Sequence, residues 1–154
     1  MIHLNLHKQS PGMCGPSSLK MVLSAYGIKK SEKYLAELTK TNPKKGCWEK
    51  NIVSAAKKLG LKGYYKRNSS SLKELKKLVE KENIPVIVNW FSPEESSHFS
   101  VVVGFEKDKI LLAEPHFGEI KKYKIDWFMD HWFDFIGPPS CKYLLIRPIV
   151  VIYK

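Results

Sequence analysis

The sequence predicts an α+β fold, with helices first and an antiparallel sheet after them, on three observations. Apolar residues recur at helical spacing through the first half of the chain. Runs of β-branched and aromatic residues bounded by Pro, Gly, Asn and Asp fill the second half, without the long helical crossovers that a parallel sheet would need. No internal repeat or low-complexity linker separates the two halves, so they read as layers of one domain. A chain of 154 residues, 44% of them hydrophobic, has enough material for a sizeable core. A disordered or disulfide-stapled chain is thereby excluded.

The elements follow in order. Pro16, Ser17 and Ser18 open a buried helix that carries Leu19, Met21, Val22, Leu23 and Tyr26 and stops at Gly27. Ser31 precedes an amphipathic helix with Tyr34, Leu35 and Leu38 on its inner face. A third helix runs from about Trp48 to Leu59, with Ile52, Val53 and Ala56 inward and Gly60 as its stop. Ser69 to Ser71 form a capping cluster, and Leu72, Leu75, Leu78 and Val79 make a fourth helix behind it. From Pro85 onward, IPVIVNWF, HFSVVVGF, KILLAEP, EIKKYKI and CKYLLIRPIVVIY read as strands, and DWFMDHWF as a short aromatic helix or turn.

Charge and cysteine usage narrow the function classes. The formal net charge is +11, but Arg67 and Arg147 are the only arginines. Base readout and bidentate phosphate clamping rely on arginine, so the lysine-rich balance reads as a solvated surface, and no nucleic-acid partner is expected. Cys14, Cys47 and Cys141 are an odd set without a CxxC pair, which argues against a disulfide framework, a zinc site or any other metal. No secretory signal is visible at the N-terminus, and the apolar tail Tyr143 to Tyr153 is interrupted by Arg147 and Pro148. These features predict a cytoplasmic protein with free thiols and no membrane span. No cofactor motif is found.

One cysteine stands in a reactive setting. Cys14 lies in QSPGMCGPSS, between a Pro-Gly turn and the start of the first helix. A thiol there faces unpaired backbone N–H groups and the positive end of the helix dipole, which favour the thiolate. The Cys14 N–H and the Gln9 side-chain amide could together hold an oxyanion, and Gly15 leaves room for a substrate to approach. A thiolate needs a base. His3 and His7 lie in the N-terminal extension, His131 in the aromatic segment, and His98 and His116 beside the predicted hairpin. His98 is the strongest candidate, since it begins a strand at the sheet end where a cleft would open. Its orienting acceptor would be Glu114, which ends the next strand just before Pro115. With a two-residue turn at Lys107 and Asp108, His98 would lie opposite Phe117 and point away from Glu114. Both share a face only if the loop is odd in length or one strand carries a bulge. Trp48, Trp90 and Phe91 are candidates to line the cleft, although core packing is their commoner role.

The ordered set QSPGMCGPSSLKMVLSAYG, NIVSAAKKLGL, SLKELKKLVEKENIPVIVNW and HFSVVVGFEKDKILLAEPHFG resembles the papain-like cysteine peptidases that process bacteriocin precursors after a double-glycine site. The resemblance runs from about Gln9 to Trp132. It implies a single papain-like domain over residues 1–154, with a helical lobe facing a sheet lobe. It also implies Cys14 as nucleophile, His98 as general base and later acid, and Gln9 as oxyanion donor, with a peptide substrate and no cofactor. Two departures stand out. The acid position, usually Asp in an Asp-Pro pair, holds Glu114-Pro115. Many family members are also N-terminal domains of ABC exporters, whereas this sequence shows neither spans nor a P-loop, which leaves association with a separate exporter as the route to such a partner. A papain-like module that binds a peptide without cutting it is the alternative reading, supported mainly by Glu114.

Overall fold

The computed structural model describes residues 1–154. Helix α1 (Cys14–Ala25) begins two residues before the expected opening at Pro16. A proline is tolerated so early because the first turn of a helix has no internal partner for its N–H groups. Helix α2 (Glu32–Leu38) is capped by Ser31, whose hydroxyl accepts from the Tyr34 N–H at 3.1 Å. Helix α3 (Glu49–Lys58) follows Trp48 and ends before Gly60. Helix α4 (Leu72–Lys76), capped by Ser71, continues as a π-helical turn over Lys77–Lys81.

The strands are β1 (Lys62–Lys66), β2 (Val86–Ser92), β3 (Ser96–Glu106), β4 (Lys109–Glu114), β5 (Glu119–Lys124), β6 (Phe133–Ile136), β7 (Tyr143–Ile146) and β8 (Ile149–Tyr153). Helix α5 (Ile125–His131) precedes β6. Six strands form one antiparallel sheet in the order β1-β8-β2-β3-β4-β5, and β6 and β7 pair as a separate hairpin. Helix α1 packs on β3 and β2, and α3 packs on β1 and β8. Leu19, Met21, Leu23, Ile52, Val101 and Val102 are wholly buried between these layers.

Two features correct the helices-then-sheet reading. Strand β1 lies between α3 and α4 and joins the sheet edge through β8. The tail read as one strand is two, because Arg147 takes a left-handed φ of 55° before Pro148, and β7 and β8 then enter different sheets.

The β3–β4 hairpin has the two-residue turn, and it also has the bulge. Glu106 faces Lys109 and Gly104 faces Leu111, but the next pairs are Val102 with Leu112 and Val101 with Ala113. Val103 is the extra residue. Its carbonyl accepts instead from the Ile2 N–H at 2.7 Å, so the N-terminal segment uses the group that the ladder releases. From Val102 back toward His98, β3 is thereby shifted by one residue relative to β4.

Candidate active site

The shift turns His98 and Glu114 onto the same face. Both are buried, 1% and 2% exposed, and His98 Nε2 meets Glu114 Oε1 in a short hydrogen bond. The other carboxylate oxygen accepts from Ser100 Oγ at 2.7 Å, and Ser100 Oγ in turn accepts from Trp90 Nε1 at 2.9 Å. The His116 N–H also donates to Glu114 Oε1, at 3.0 Å. Three groups, two on β3 and one in the loop after β4, therefore fix the acid, and Trp90 on β2 backs one of them. Trp90 is wholly buried and supports this chain edge-on to His98, so it does not line the cleft. Phe91 stacks on Phe133.

Cys14 is the first residue of α1 and is partly exposed. Its N–H has no acceptor within the chain, since first-turn donors have no partner inside a helix and Pro16 contributes none. Burial alone would disfavour charge on His98, but contact with the Cys14 thiol, Glu114 and Glu95 outweighs it and pushes the imidazole up to about 12. The arrangement favours an imidazolium facing the sulfur.

Gln9 is held beside the acid, because its backbone N–H donates to the Pro115 carbonyl at 2.8 Å. Its side-chain Nε2 donates to Glu95 Oε1 at 3.1 Å. The loop between Gln9 and Cys14 is clamped by Glu32, whose Oε2 accepts from the Ser10 N–H at 3.0 Å and Ser17 Oγ at 2.9 Å and contacts His7 Nε2 at 2.8 Å. Partial burial opposes ionisation of Glu32, but the hydrogen bonds from Ser10, His7 and Ser17 hold its carboxyl down at about 2.

Gly15 has a different purpose from the one expected. A Cβ there would lie 2.5 Å from Cys47 Cβ and 2.8 Å from its sulfur, so the missing side chain makes room for Cys47, and the substrate gains no space. Burial pushes the Cys47 thiol up to about 11, which keeps it protonated.

A cleft of about 850 Å³ opens on one side of Cys14, lined among others by Trp48, Phe99, Asn89, Asp134 and Phe135. Of the three aromatics considered for this role, Trp48 is the one that lines it. Below the surface, Asn89 Nδ2 bridges Glu49 Oε1 at 3.1 Å and Asp134 Oδ2 at 2.8 Å. This polar floor, together with Ser100 and Glu95, was not foreseen. Glu95 and Ser100 flank His98 at i−3 and i+2, but their roles depend on the turn and on the bulge, which no local pattern marks.

A cysteine at a helix start, facing a histidine on an antiparallel sheet, is the arrangement of the papain-like cysteine peptidases. The chain belongs to the peptidase C39 family, whose profile matches residues 5–136, and it is a cysteine peptidase by that membership. No curated protein sequence matches it significantly. Among solved structures it resembles the peptidase domain of Streptococcus ComA, a bi-functional ABC transporter involved in a quorum sensing pathway. The two share 25% identity over 98% of each chain, with a TM-score of 0.73. It also resembles a double glycine motif protease from an AMS/PCAT transporter in complex with the leader peptide, at 20% identity over 99% of this chain and 92% of that one, TM-score 0.73. The Streptococcus mutans ComA peptidase domain aligns with 21% identity over 97% and 99% of the two chains, TM-score 0.62.

Proposed function

We propose that this peptidase cleaves a glycine-containing leader peptide through Cys14, His98 and Glu114, with Gln9 and the Cys14 N–H as oxyanion donors. The observation that carries the reading is the bulged hairpin, which brings a buried carboxylate onto His98 Nε2. Glu114 meets the imidazole despite its extra methylene, which weighs against a module that binds without cutting.

The chemistry is acyl transfer. The Cys14 thiolate attacks the scissile carbonyl, and the resulting oxyanion is stabilised by hydrogen bonds from the Cys14 N–H and Gln9 Nε2. The His98 imidazolium gives its proton to the leaving amine as the tetrahedral intermediate collapses to a thioester. Neutral His98 then takes a proton from water, whose oxygen attacks the thioester. Collapse releases a peptide with a new C-terminal carboxylate and returns the thiolate–imidazolium pair. Glu114 holds the ring in place throughout. The leader reading is supported by the cleft that opens beside Cys14 and by the leader peptide held by one structural relative.

A cleavage screen tests both levels. Peptides containing Gly-Gly, Gly-Ala and unrelated junctions are incubated with the protein and with Cys14→Ala, and products are read by mass. Cutting after a glycine pair that disappears in the variant is expected. Cutting confined to glycine-free peptides would reject the leader assignment, and cutting that survives in Cys14→Ala would reject the nucleophile.

A further inference from the structure

Glu95 has no part in the reaction just described, yet its carboxylate lies within the site. It occupies the tight turn between β2 and β3, where its N–H donates to Ser92 Oγ at 3.0 Å. The following residue, Ser96, holds a left-handed φ of 61°, a conformation that an L-residue seldom keeps without reason. This turn folds the side chain back over the site. Oε1 accepts from Gln9 Nε2 at 3.1 Å, while Oε2 lies 2.7 Å from His98 Nδ1 and 3.4 Å from His116 Nδ1.

These contacts differ from those of a residue that orients the histidine. Such a carboxylate accepts in line with a ring N–H, as Glu114 does at Nε2. Oε2 approaches Nδ1 off that axis, and Nδ1 has no in-line partner. The second oxygen, moreover, has gone to Gln9. One oxygen on the oxyanion donor and the other beside the base is the placement a peptide's C-terminal carboxylate takes once water has opened the thioester.

We propose that Gln9, His98 and His116 form a carboxylate-binding subsite that Glu95 fills in the resting enzyme and the C-terminal carboxylate of the product fills after cleavage. Gln9 Nε2 donates to Glu95 Oε1 at 3.1 Å and to the Ser10 carbonyl at 3.4 Å, so a substrate carbonyl competes with Glu95 for it, and Glu95 is a built-in competitor for both substrate and product. Its charge disfavours retention of the product by competing for the same three groups. The inference rests on the roles proposed above for Gln9 and His98.

The test measures the rate of Cys14 alkylation by iodoacetamide in protein carrying Cys141→Ser, since Cys141 is exposed. The labelled peptide is identified by mass. Rates are compared for Glu95→Ala and Glu95→Gln, each with N-acetyl-diglycine, which ends in a carboxylate, and with its neutral amide. Glu95→Ala is expected to alkylate about tenfold faster, and N-acetyl-diglycine to protect Cys14 in the variant at concentrations that leave the parent unprotected. The amide should protect much less. Glu95→Gln, which keeps the length and loses the charge, should also gain protection by the acid. Unchanged or slower alkylation in Glu95→Ala would overturn the proposal, as would equal protection by acid and amide. His98→Ala separates the two levels. Alkylation insensitive to His98 in every background counts against the catalytic reading itself, whereas His98-dependent alkylation insensitive to Glu95 counts against this subsite alone.

Discussion

Ser100 shows how much of this site depends on groups that never touch the sulfur. Its hydroxyl donates to Glu114 and accepts from Trp90, so Ser100→Ala strands a buried carboxylate oxygen and a buried indole N–H together. Leaving such groups unpaired costs about 1–3 kcal/mol each. The variant should therefore melt earlier by denaturant titration and lose kcat more than KM, and retention of both stability and kcat would refute this role for Ser100. Gly15 offers a cleaner steric test. Gly15→Ala drives a methyl into Cys47 and is expected to destabilise by roughly 1–3 kcal/mol. Adding Cys47→Gly removes the opposing atoms, so the double-mutant cycle should show that most of this cost is recovered. Additive losses would mean that the two positions do not meet. At this scale the sequence pointed to Cys14, His98, Glu114 and Gln9 by residue type and setting, and the fold brings His98 onto Glu114. Gly15 was misread, because a glycine beside a cysteine gives no sign of which neighbour needs its space.

Among the elements, the strap from Gln9 to Cys14 depends on Glu32 at the head of α2. The folded carboxyl sits near 2 against an ordinary 4.5, so its stabilising effect is present above pH 4.5 and fades as the pH falls through about 2. The stability gap between the parent and Glu32→Gln should accordingly be constant near neutrality and close below pH 4.5. A gap that stays open at pH 2 would contradict the clamp. Helices α1 to α4 were legible because each has a continuous apolar stripe with a capping or stop residue at one end. Strand β1 was not, since KGYYK is short, half exposed and partnered only by β8, the last strand of the chain. The bulge at Val103 was legible as a requirement but not as a location, because VVVG offers several equivalent places for one extra residue.

For the whole molecule, the charge of +11 has a structural distribution. Both edges of the main sheet carry lysines, Lys62 and Lys66 on β1 and Lys121, Lys122 and Lys124 on β5. Edge lysines block pairing with a second sheet, which an open six-stranded sheet would otherwise invite. Replacing Lys62 and Lys66 by Val should produce concentration-dependent association by light scattering, and a variant that stays at the parent's size would assign these lysines another purpose. No helix is long and apolar enough to cross a membrane. The separate β6–β7 hairpin carries Asp134, Phe135 and Gly137 into one wall of the cleft, yet it shares no ladder with the strands that hold His98 and Glu114. Side chains tie it to β2 and β3, with Asp134 accepting from Asn89 and Ser97 and Phe133 stacked on Phe91, and further bonds run to the 68–70 loop through Asn68 and Ser69. A family built this way can lengthen, shorten or recompose the 137–142 turn and so reshape what the cleft admits, while the register that positions the base and its acid is inherited unchanged.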